Sequence, residues 1–306
     1  MKSIVTFTAM ILMGATALAT PSLDPATLAK AQRATLVLDD VAGQSYCTVF
    51  PITPDGYALT ALHCVRDCLV ENAKAETGSN SFVGLNDLLV VGTPGAVNAT
   101  CDLQVASLKI KNVTVVATGP GLSIFDENFL LTYTGLFDEL RAQGLESRAN
   151  DFALIKLPVT QPVACLPIHA QGSSPGQNIA ALGYPLPADP KQPAPFSQAP
   201  GSVYNSSKDS RYYAGQASAA QRTLVERVYS SDGVIYSNAN TTFGYSGGPI
   251  VALDGSAIGV VSGFTTTELT NTTELHELVG TSMARVLAKL PANISSALIQ
   301  KSVACK

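Results

Sequence analysis

Phe243-Gly244-Tyr245-Ser246-Gly247-Gly248-Pro249-Ile250 is the stretch around which the rest of the chain makes sense. A serine stands between glycines, and an apolar run follows it. Glycines flank a nucleophile where backbone must come close to a substrate and aim its N–H groups at one point. A serine hydroxyl is a weak nucleophile on its own. It needs a base, and the base needs a group that orients it. The chain contains 3 histidines, His63, His169 and His276, so few candidates for that base exist.

Ser246 admits two functional readings and one plain one. Gly244 to Gly248 fits G-x-S-x-G, the strand-to-helix elbow on which α/β-hydrolases carry their nucleophile. It also fits the G-x-S-G-G-P stretch of chymotrypsin-like serine proteases. A glycine-rich turn with a solvated serine is the third reading. The residues after Ser246 separate the first two. An elbow needs a helix next, then an acid and a histidine in that order. Instead, Pro249 and the run Ile250-Val251-Ala252-Leu253, closed by Asp254-Gly255, read as a strand and a hairpin turn. The reading as a secreted lipase or esterase therefore falls behind.

At 306 residues the chain makes one large domain or two modest ones. Charged residues are 14% of it, and Gly, Thr, Val and Ser are abundant, which favours many short strands over helical bundles. A net charge of −4 gives no reason to expect nucleic acid as a partner. Residues 1–19 read as a secretory signal peptide, with Lys2, an apolar segment Ile4 to Leu18, and the small-x-small site Ala17-Leu18-Ala19. That run is shorter than the roughly 20 residues a membrane anchor needs. A secreted protein without a membrane anchor is expected. Export makes the cysteines legible. All 6 (Cys47, Cys64, Cys68, Cys101, Cys165 and Cys305) lie beyond the leader, and an even number in an exported chain suggests disulfides. Zinc held by His63, Cys64 and Cys68 has poor spacing and no second ligand pair, so no metal is expected.

Residues 20–34 are polar and alanine-rich, a pro-segment or an N-terminal arm. Thr35 to Leu38 is the first strand candidate. Cys47 to Thr53, the turn Pro54-Asp55-Gly56 and Tyr57 to Thr60 then form a hairpin that delivers Ala61-Leu62-His63-Cys64. Here the chain resembles the trypsin/chymotrypsin family. Thr60-Ala61-Leu62-His63-Cys64 is similar to its T-A-x-H-C stretch. Asp151-Phe152-Ala153-Leu154-Ile155-Lys156-Leu157 is similar to the D-x-A-L-I-K-L strand that presents its carboxylate. With Ser246, the order His, Asp, Ser is that of the chymotrypsin type.

The resemblance covers most of residues 35–300 and is specific at those three stretches. It implies an all-β fold: two antiparallel six-stranded β-barrels, a cleft between them, and a short C-terminal helix. The N-terminal barrel is expected over 35–165 with inserted loops, the linker over 166–177, and the C-terminal barrel and helix over 178–306. It implies His63 as base, Asp151 as its orienting acid, Ser246 as nucleophile, and the N–H groups of Gly244 and Ser246 as an oxyanion hole. It also implies that Ser262 supports Asp151 and pairs with substrate backbone, and that Cys47 bonds Cys64. Further expected pairings are Cys68–Cys101, stapling the insertion, and Cys165–Cys305, tying the tail to the linker.

Within the insertion at 65–150, Ser81 to Val91 and Asp102 to Thr118 contain strand-like runs, and Phe137 to Gln143 fits a helical turn. It carries no motif of chemical interest and reads as decorating or substrate-gating loops. Asn178 to Pro185 reads as the first strand of the second barrel, and Leu186 to Ser210 as a long surface loop. Thr223 to Tyr229, Gly233 to Ser237 and Ile258 to Ser262 read as strands. Ser282 to Leu290 and Ile294 to Lys301 are helix candidates, interrupted by Pro291.

Two departures from the family carry expectations of their own. Tyr245 stands where trypsin-like zymogens carry the aspartate that receives a newly cleaved N-terminus, and no I-V-G-G start is present. The serine loop is therefore expected to form on folding. Asn240 stands where trypsin-like enzymes hold a pocket aspartate. Asn240, Thr241, Val261, Ser262 and Phe264 are expected to bind substrate through a pocket for a neutral side chain. The expected protein is a secreted serine endopeptidase needing no cofactor. It would be a monomer, with a protein or peptide as substrate and a proteinaceous inhibitor as a further partner. A protease-like binding protein that has lost catalysis is the rival from another class.

Overall fold

The computed structural model describes residues 21–40, 46–66, 68–69, 95–119, 150–187, 192–230, 232–270 and 273–305. The expected signal peptide at 1–19 and the expected elements at 81–91 and 137–143 lie outside these residues. Among the described residues, no helix is long and apolar enough to cross a membrane.

The first half builds a closed barrel from β1 (Leu36–Asp40), β2 (Tyr46–Pro51), β3 (Tyr57–Thr60), β4 (Gly95–Val105), β5 (Ile110–Thr118) and β6 (Ala153–Lys156). Its order is β1-β2-β3-β6-β5-β4, so β6 inserts between the β2–β3 hairpin and β5. The register Thr60↔Ala153 sets the end of β3 beside the start of β6. Closure buries Val49, Ala58, Val113, Val115 and Ile155 completely, which is what these apolar, β-branched strands require.

The second half builds a sheet from β7 (Asn178–Gly183), β8 (Ser197–Ser202), β9 (Val234–Ser237), β10 (Pro249–Ala252), β11 (Ala257–Thr270) and β12 (Thr273–Ser282), in the order β8-β7-β10-β11-β12-β9. It is a curled half-barrel: its edge strands meet through a single bridge, Val203↔Ser237, and not through a full ladder. The six strands per half match the expected architecture, and only the second closure is looser. Between β8 and β9 the chain leaves the sheet to form α2 (Arg211–Gly215) and α3 (Ala219–Tyr229). These pack on the sheet's outer face through Leu224, Val225, Val228 and Tyr229 against Tyr236 and Val279. Glu277, fully buried on β12, accepts from the N–H groups of Arg211 and Tyr212 and from the hydroxyls of Tyr204 and Tyr236.

Two sequence expectations need correction here. Thr223 to Tyr229 is the end of helix α3 and not a strand. Its apolar positions also fit a helix face, and Ser218 with Gln221 forms a capping box that starts it. The expected loop from Leu186 to Ser210 contains β8, which pairs with β7 from Asn178↔Ser202 to Gly183↔Ser197. Its sequence, Ser-Gln-Ala-Pro-Gly-Ser, has almost no apolar pattern to read. The run Asp102 to Thr118 covers the end of β4, a 3-10 turn at Ala106–Leu108 and β5.

Helix α1 (Pro25–Arg33), capped by Asp24, is a docked arm: Leu23, Ala31 and Ala34 are buried with Met283, Val286, Leu290 and Leu298. The last four belong to or adjoin α4 (Met283–Lys289) and α5 (Ala292–Ser302), which Pro291 separates. Three disulfides are present: Cys47–Cys64, Cys68–Cys101 and Cys165–Cys305. The last ties the tail, 140 residues away in sequence, to the linker.

Candidate active site

His63 sits in a 3-10 turn, Leu62–Cys64, that leaves the end of β3. Leu62 and Val65 are buried beneath it, and the Cys64–Cys47 bond ties it to β2. Asp151 lies just before β6, so the β3–β6 pairing brings acid and imidazole together. The His63 backbone N–H donates to Asp151 Oδ1 at 3.1 Å, and His63 Nδ1 lies 2.9 Å from Oδ2. With its proton on Nδ1, the ring presents Nε2 as an acceptor on its other side. Ser262 on β11 donates its hydroxyl to Asp151 Oδ2 at 2.6 Å, so the two halves of the molecule meet at this carboxylate. Asp151 is 2% exposed. Burial works against its ionisation. The His63 ring and the hydrogen bonds from His63 and Ser262 outweigh that and hold it below the usual carboxylate range.

The serine loop runs between Phe243 and Gly248. Gly244 has φ +94° and Gly247 φ +79°, left-handed conformations that favour glycine. Space is as restrictive as conformation. A Cβ on Gly244 would lie 2.1 Å from the Tyr184 carbonyl oxygen, and one on Gly247 2.3 Å from that of Thr48. Backbone accounting singles out two groups. Tyr245 N–H donates to Thr242 O, Gly247 N–H to Val261 O and Gly248 N–H to Tyr245 O. Among the described residues, the N–H groups of Gly244 and Ser246 have no protein acceptor.

The carbonyls of the loop are pinned. Phe243 O accepts from Leu186 N–H at 3.0 Å, and Ser246 O from Thr48 N–H at 2.8 Å. Gly244 O accepts from the Thr48 hydroxyl at 2.7 Å. Thr48 is on β2, bonded in turn by the Thr60 hydroxyl at 2.9 Å. The strands that carry His63 therefore also grip the loop that carries Ser246, and Cys64 Sγ lies 3.8 Å from the Ser246 carbonyl oxygen. Sequence reasoning missed Thr48. Nothing in Cys47-Thr48-Val49-Phe50 distinguishes it from any buried strand threonine.

Tyr245 is buried with Ile179, Ala181 and Ile250 in the core of the second half, and that burial pushes its phenol up, keeping it neutral. It fills space where an aspartate would seek a cation.

The expected substrate-binding residues divide. Phe264 stacks on His276, ring centroids 4.4 Å apart, and meets Phe243 edge-on at 5.1 Å. Thr241 is buried, and its carbonyl oxygen lies 3.1 Å from His276 Nδ1. Asn240 is exposed and does not form a pocket floor; its Oδ1 accepts the His276 N–H at 3.2 Å. The Val261 side chain is buried in the core of the second half, and its backbone is bonded to Gly247 and Gly248. The Ser262 hydroxyl is spent on Asp151. His276 and Phe243 were missed as neighbours of this region; the β11–β12 register, Thr266↔His276, is what brings the imidazole there.

Cys47, His63 and Cys64 lie within 4.8 Å of one another, but the two sulfurs are bonded to each other and offer no thiolate to a metal.

The sequence model of the trypsin-like peptidase domain matches residues 47–260, which spans His63, Asp151 and Ser246. The chain belongs to the trypsin-like peptidases. Similar solved structures include Rv3671c of M. tuberculosis. Its inactive form with a serine-to-alanine substitution has a TM-score of 0.46 and 18% identity, over 91% of this chain and 96% of that one. Its active form has a TM-score of 0.43 and 17% identity, over 94% and 92%. No curated protein matches the chain. As a trypsin-like peptidase, the chain carries its candidate residues where the closed barrel meets the curled sheet.

Proposed function

We propose that this peptidase is a secreted serine endopeptidase that cleaves protein or peptide substrates through an acyl-enzyme on Ser246. His63 Nε2 takes the Ser246 proton as the oxygen attacks the scissile carbonyl carbon. The carbonyl electrons move onto oxygen, which the idle N–H groups of Gly244 and Ser246 receive. His63 then gives its proton to the leaving amine, and the C–N bond breaks. Water, giving a proton to His63, then attacks the acyl carbon; the ester C–O bond breaks, His63 returns the proton to Ser246 Oγ, and the acid product leaves. Asp151 stays ionised throughout, holding the ring and stabilising the imidazolium.

β11 supplies the substrate's backbone partner. It pairs with β10 only as far as Pro249↔Val260, so from Ser262 onward that edge has no partner strand among the described residues. The leader at 1–19 and the three disulfides support secretion. Tyr245 supports a site assembled on folding and not by N-terminal cleavage.

The single observation that carries this reading is the line Ser262–Asp151–His63 meeting a serine loop with two uncommitted amides. A fluorophosphonate probe tests it. Labelling at Ser246, lost in His63→Ala, together with peptide cleavage, is expected. Ester turnover without proteolysis would point to an esterase, and absence of labelling in the folded protein to a binding protein.

A further inference from the structure

The end of β7 lies flat against the serine loop, backbone on backbone. A Cβ on Gly248 would lie 2.1 Å from the Leu182 carbonyl oxygen, one on Gly183 2.9 Å from Tyr245 Cα, and one on Gly244 2.1 Å from the Tyr184 carbonyl oxygen. Two residues further on, Leu186 N–H reaches Phe243 O. Packing this close leaves no slack. Whatever fixes the end of β7 therefore fixes where the Gly244 and Ser246 N–H groups point.

Tyr184, the residue after β7, is what fixes it, and its anchors are in the first half of the molecule. Its N–H donates to Thr48 Oγ1 at 3.3 Å, while the Thr48 hydroxyl gives its single proton to Gly244 O. That hydroxyl is thereby committed both as donor and as acceptor. The Tyr184 hydroxyl donates to the Thr35 carbonyl oxygen at 2.7 Å. Burial pushes the phenol up, so it stays a donor through the neutral range. Phe196 meets the ring edge-on, with centroids 5.7 Å apart. Thr35 is wholly buried and is held to the arm: its N–H donates to Gln32 O at 3.2 Å and its hydroxyl to Ala31 O at 2.8 Å. The arm in turn is docked through Leu23, Ala31 and Ala34, with Leu28 packed beside them. A continuous line of contacts thus runs from α1 through Thr35, Tyr184 and Thr48 to Gly244.

We propose that Tyr184 is a positioning residue for the oxyanion hole and that the N-terminal arm acts on the serine loop through it, so that residues 21–34 stay in the working enzyme and are not a pro-segment that has to leave. The docked arm then stands in for a cleavage-driven switch. This inference rests on the peptidase reading of Ser246, and the experiment separates the two.

The full chain is compared with Tyr184→Phe, with an arm pair, Leu23→Ala and Leu28→Ala, and with all three changes together, using one peptide that the wild type cleaves. Ser246 is titrated to completion with a fluorophosphonate, so that kcat is counted per reactive serine and a partly unfolded sample does not pass for a slow one. Tyr184→Phe keeps the ring and removes the strut. Its kcat should fall roughly tenfold with KM within about twofold, short of the 100- to 1,000-fold typical of losing an oxyanion donor outright. The acid limb of its pH profile should stay in place, because the strut acts on the loop and not on the base. The arm pair should also lower kcat, and should add little to the loss already caused by Tyr184→Phe, since changes along one line of contacts do not add. The intact mass of the labelled, active wild type should include residues 21–34. A Tyr184→Phe enzyme with a lowered melting temperature and an unchanged kcat per serine overturns the strut. Full additivity with the arm pair, or an enzyme of undiminished kcat that lacks 21–34, overturns the coupling to the arm. Should Tyr184→Phe fail to fold, the arm pair decides, and an unchanged kcat per serine there contradicts the proposal. In each of these cases labelling of wild-type Ser246 still upholds the peptidase; its failure overturns both.

Discussion

The hydroxyl of Thr48 donates to the Gly244 carbonyl, and its N–H donates to that of Ser246, so one residue of the first barrel sets the pitch of the serine loop. Thr48→Val keeps the shape and removes the hydroxyl, leaving a buried carbonyl short of a donor at a cost of about 1–3 kcal/mol. If the loop forms the proposed oxyanion hole, that cost falls on it: kcat should drop about tenfold or more while KM stays within about twofold, and Thr48→Ser should recover most of the loss. Steady-state kinetics with one peptide that the wild type cleaves checks this. Gly244→Ala is expected to be harsher, because φ +94° and a 2.1 Å approach to Tyr184 O both forbid the methyl. A loss of about 100- to 1,000-fold in kcat, the usual effect of losing one such donor, is predicted. At this scale the candidate residues His63, Asp151 and Ser246 stood out, because the proposed chemistry calls for particular residue types in particular local sequences. The contacts of Thr48, Phe243 and His276 did not, because they join segments far apart in the chain.

Among the elements, α5 shows how a terminal helix is fastened. Lys301 and Lys156 both reach Asp55, in the β2–β3 turn, and both ammonium groups lie over the Tyr57 ring. Partial burial opposes ionisation of Asp55, but the hydrogen bond from Lys301 and the charge of both lysines outweigh it and bring its pKa to about 2. A depressed acid stabilises the fold above its unfolded value. That stabilisation is complete above about pH 4 and is lost as pH falls toward about 2. Thermal unfolding followed from pH 6 to pH 2 should therefore show Lys301→Ala and wild type differing at pH 6 and converging at the acid end. A constant difference across that range would argue against the ion pair. Elements were readable where pattern matched environment, as in β3, β6 and β10, whose four residues each are almost wholly buried. Helix α3 was misread because Leu224, Val225, Val228 and Tyr229 suit a helix face while the shorter window alternates. Strand β8 was missed because backbone pairing with β7, not side-chain pattern, makes it a strand.

At the scale of the molecule, two sheets meet along one line, and the candidate residues are shared between them: His63, Asp151 and Thr48 from the barrel, Ser246 and Ser262 from the curled sheet. The architecture was legible because the order and spacing of three local motifs resemble a known family. The incomplete closure of the second sheet was not, since it depends on where α2 and α3 leave the edge. Linking tail to linker, Cys165–Cys305 spans 140 residues. On the chain-entropy estimate such a loop contributes up to about 5 kcal/mol. A double replacement of these cysteines by alanine should lower the melting temperature by several degrees while leaving Ser246 reactive, since Cys305 Sγ lies against the Ile52 carbonyl oxygen, past the end of β2. Loss of labelling in the folded double variant would mean the two halves no longer meet correctly.

In the proposed mechanism, an imidazole on one sheet activates a hydroxyl on the other beside two uncommitted amides. A crystal structure of the fluorophosphonate adduct measures this directly. The predicted result is phosphorus bonded to Ser246 Oγ, its oxygen within hydrogen-bond distance of the Gly244 and Ser246 nitrogens, and His63 Nε2 beside the bonded oxygen. Phosphorus on another residue, or an oxygen turned away from those two nitrogens with His63 out of reach, would contradict it.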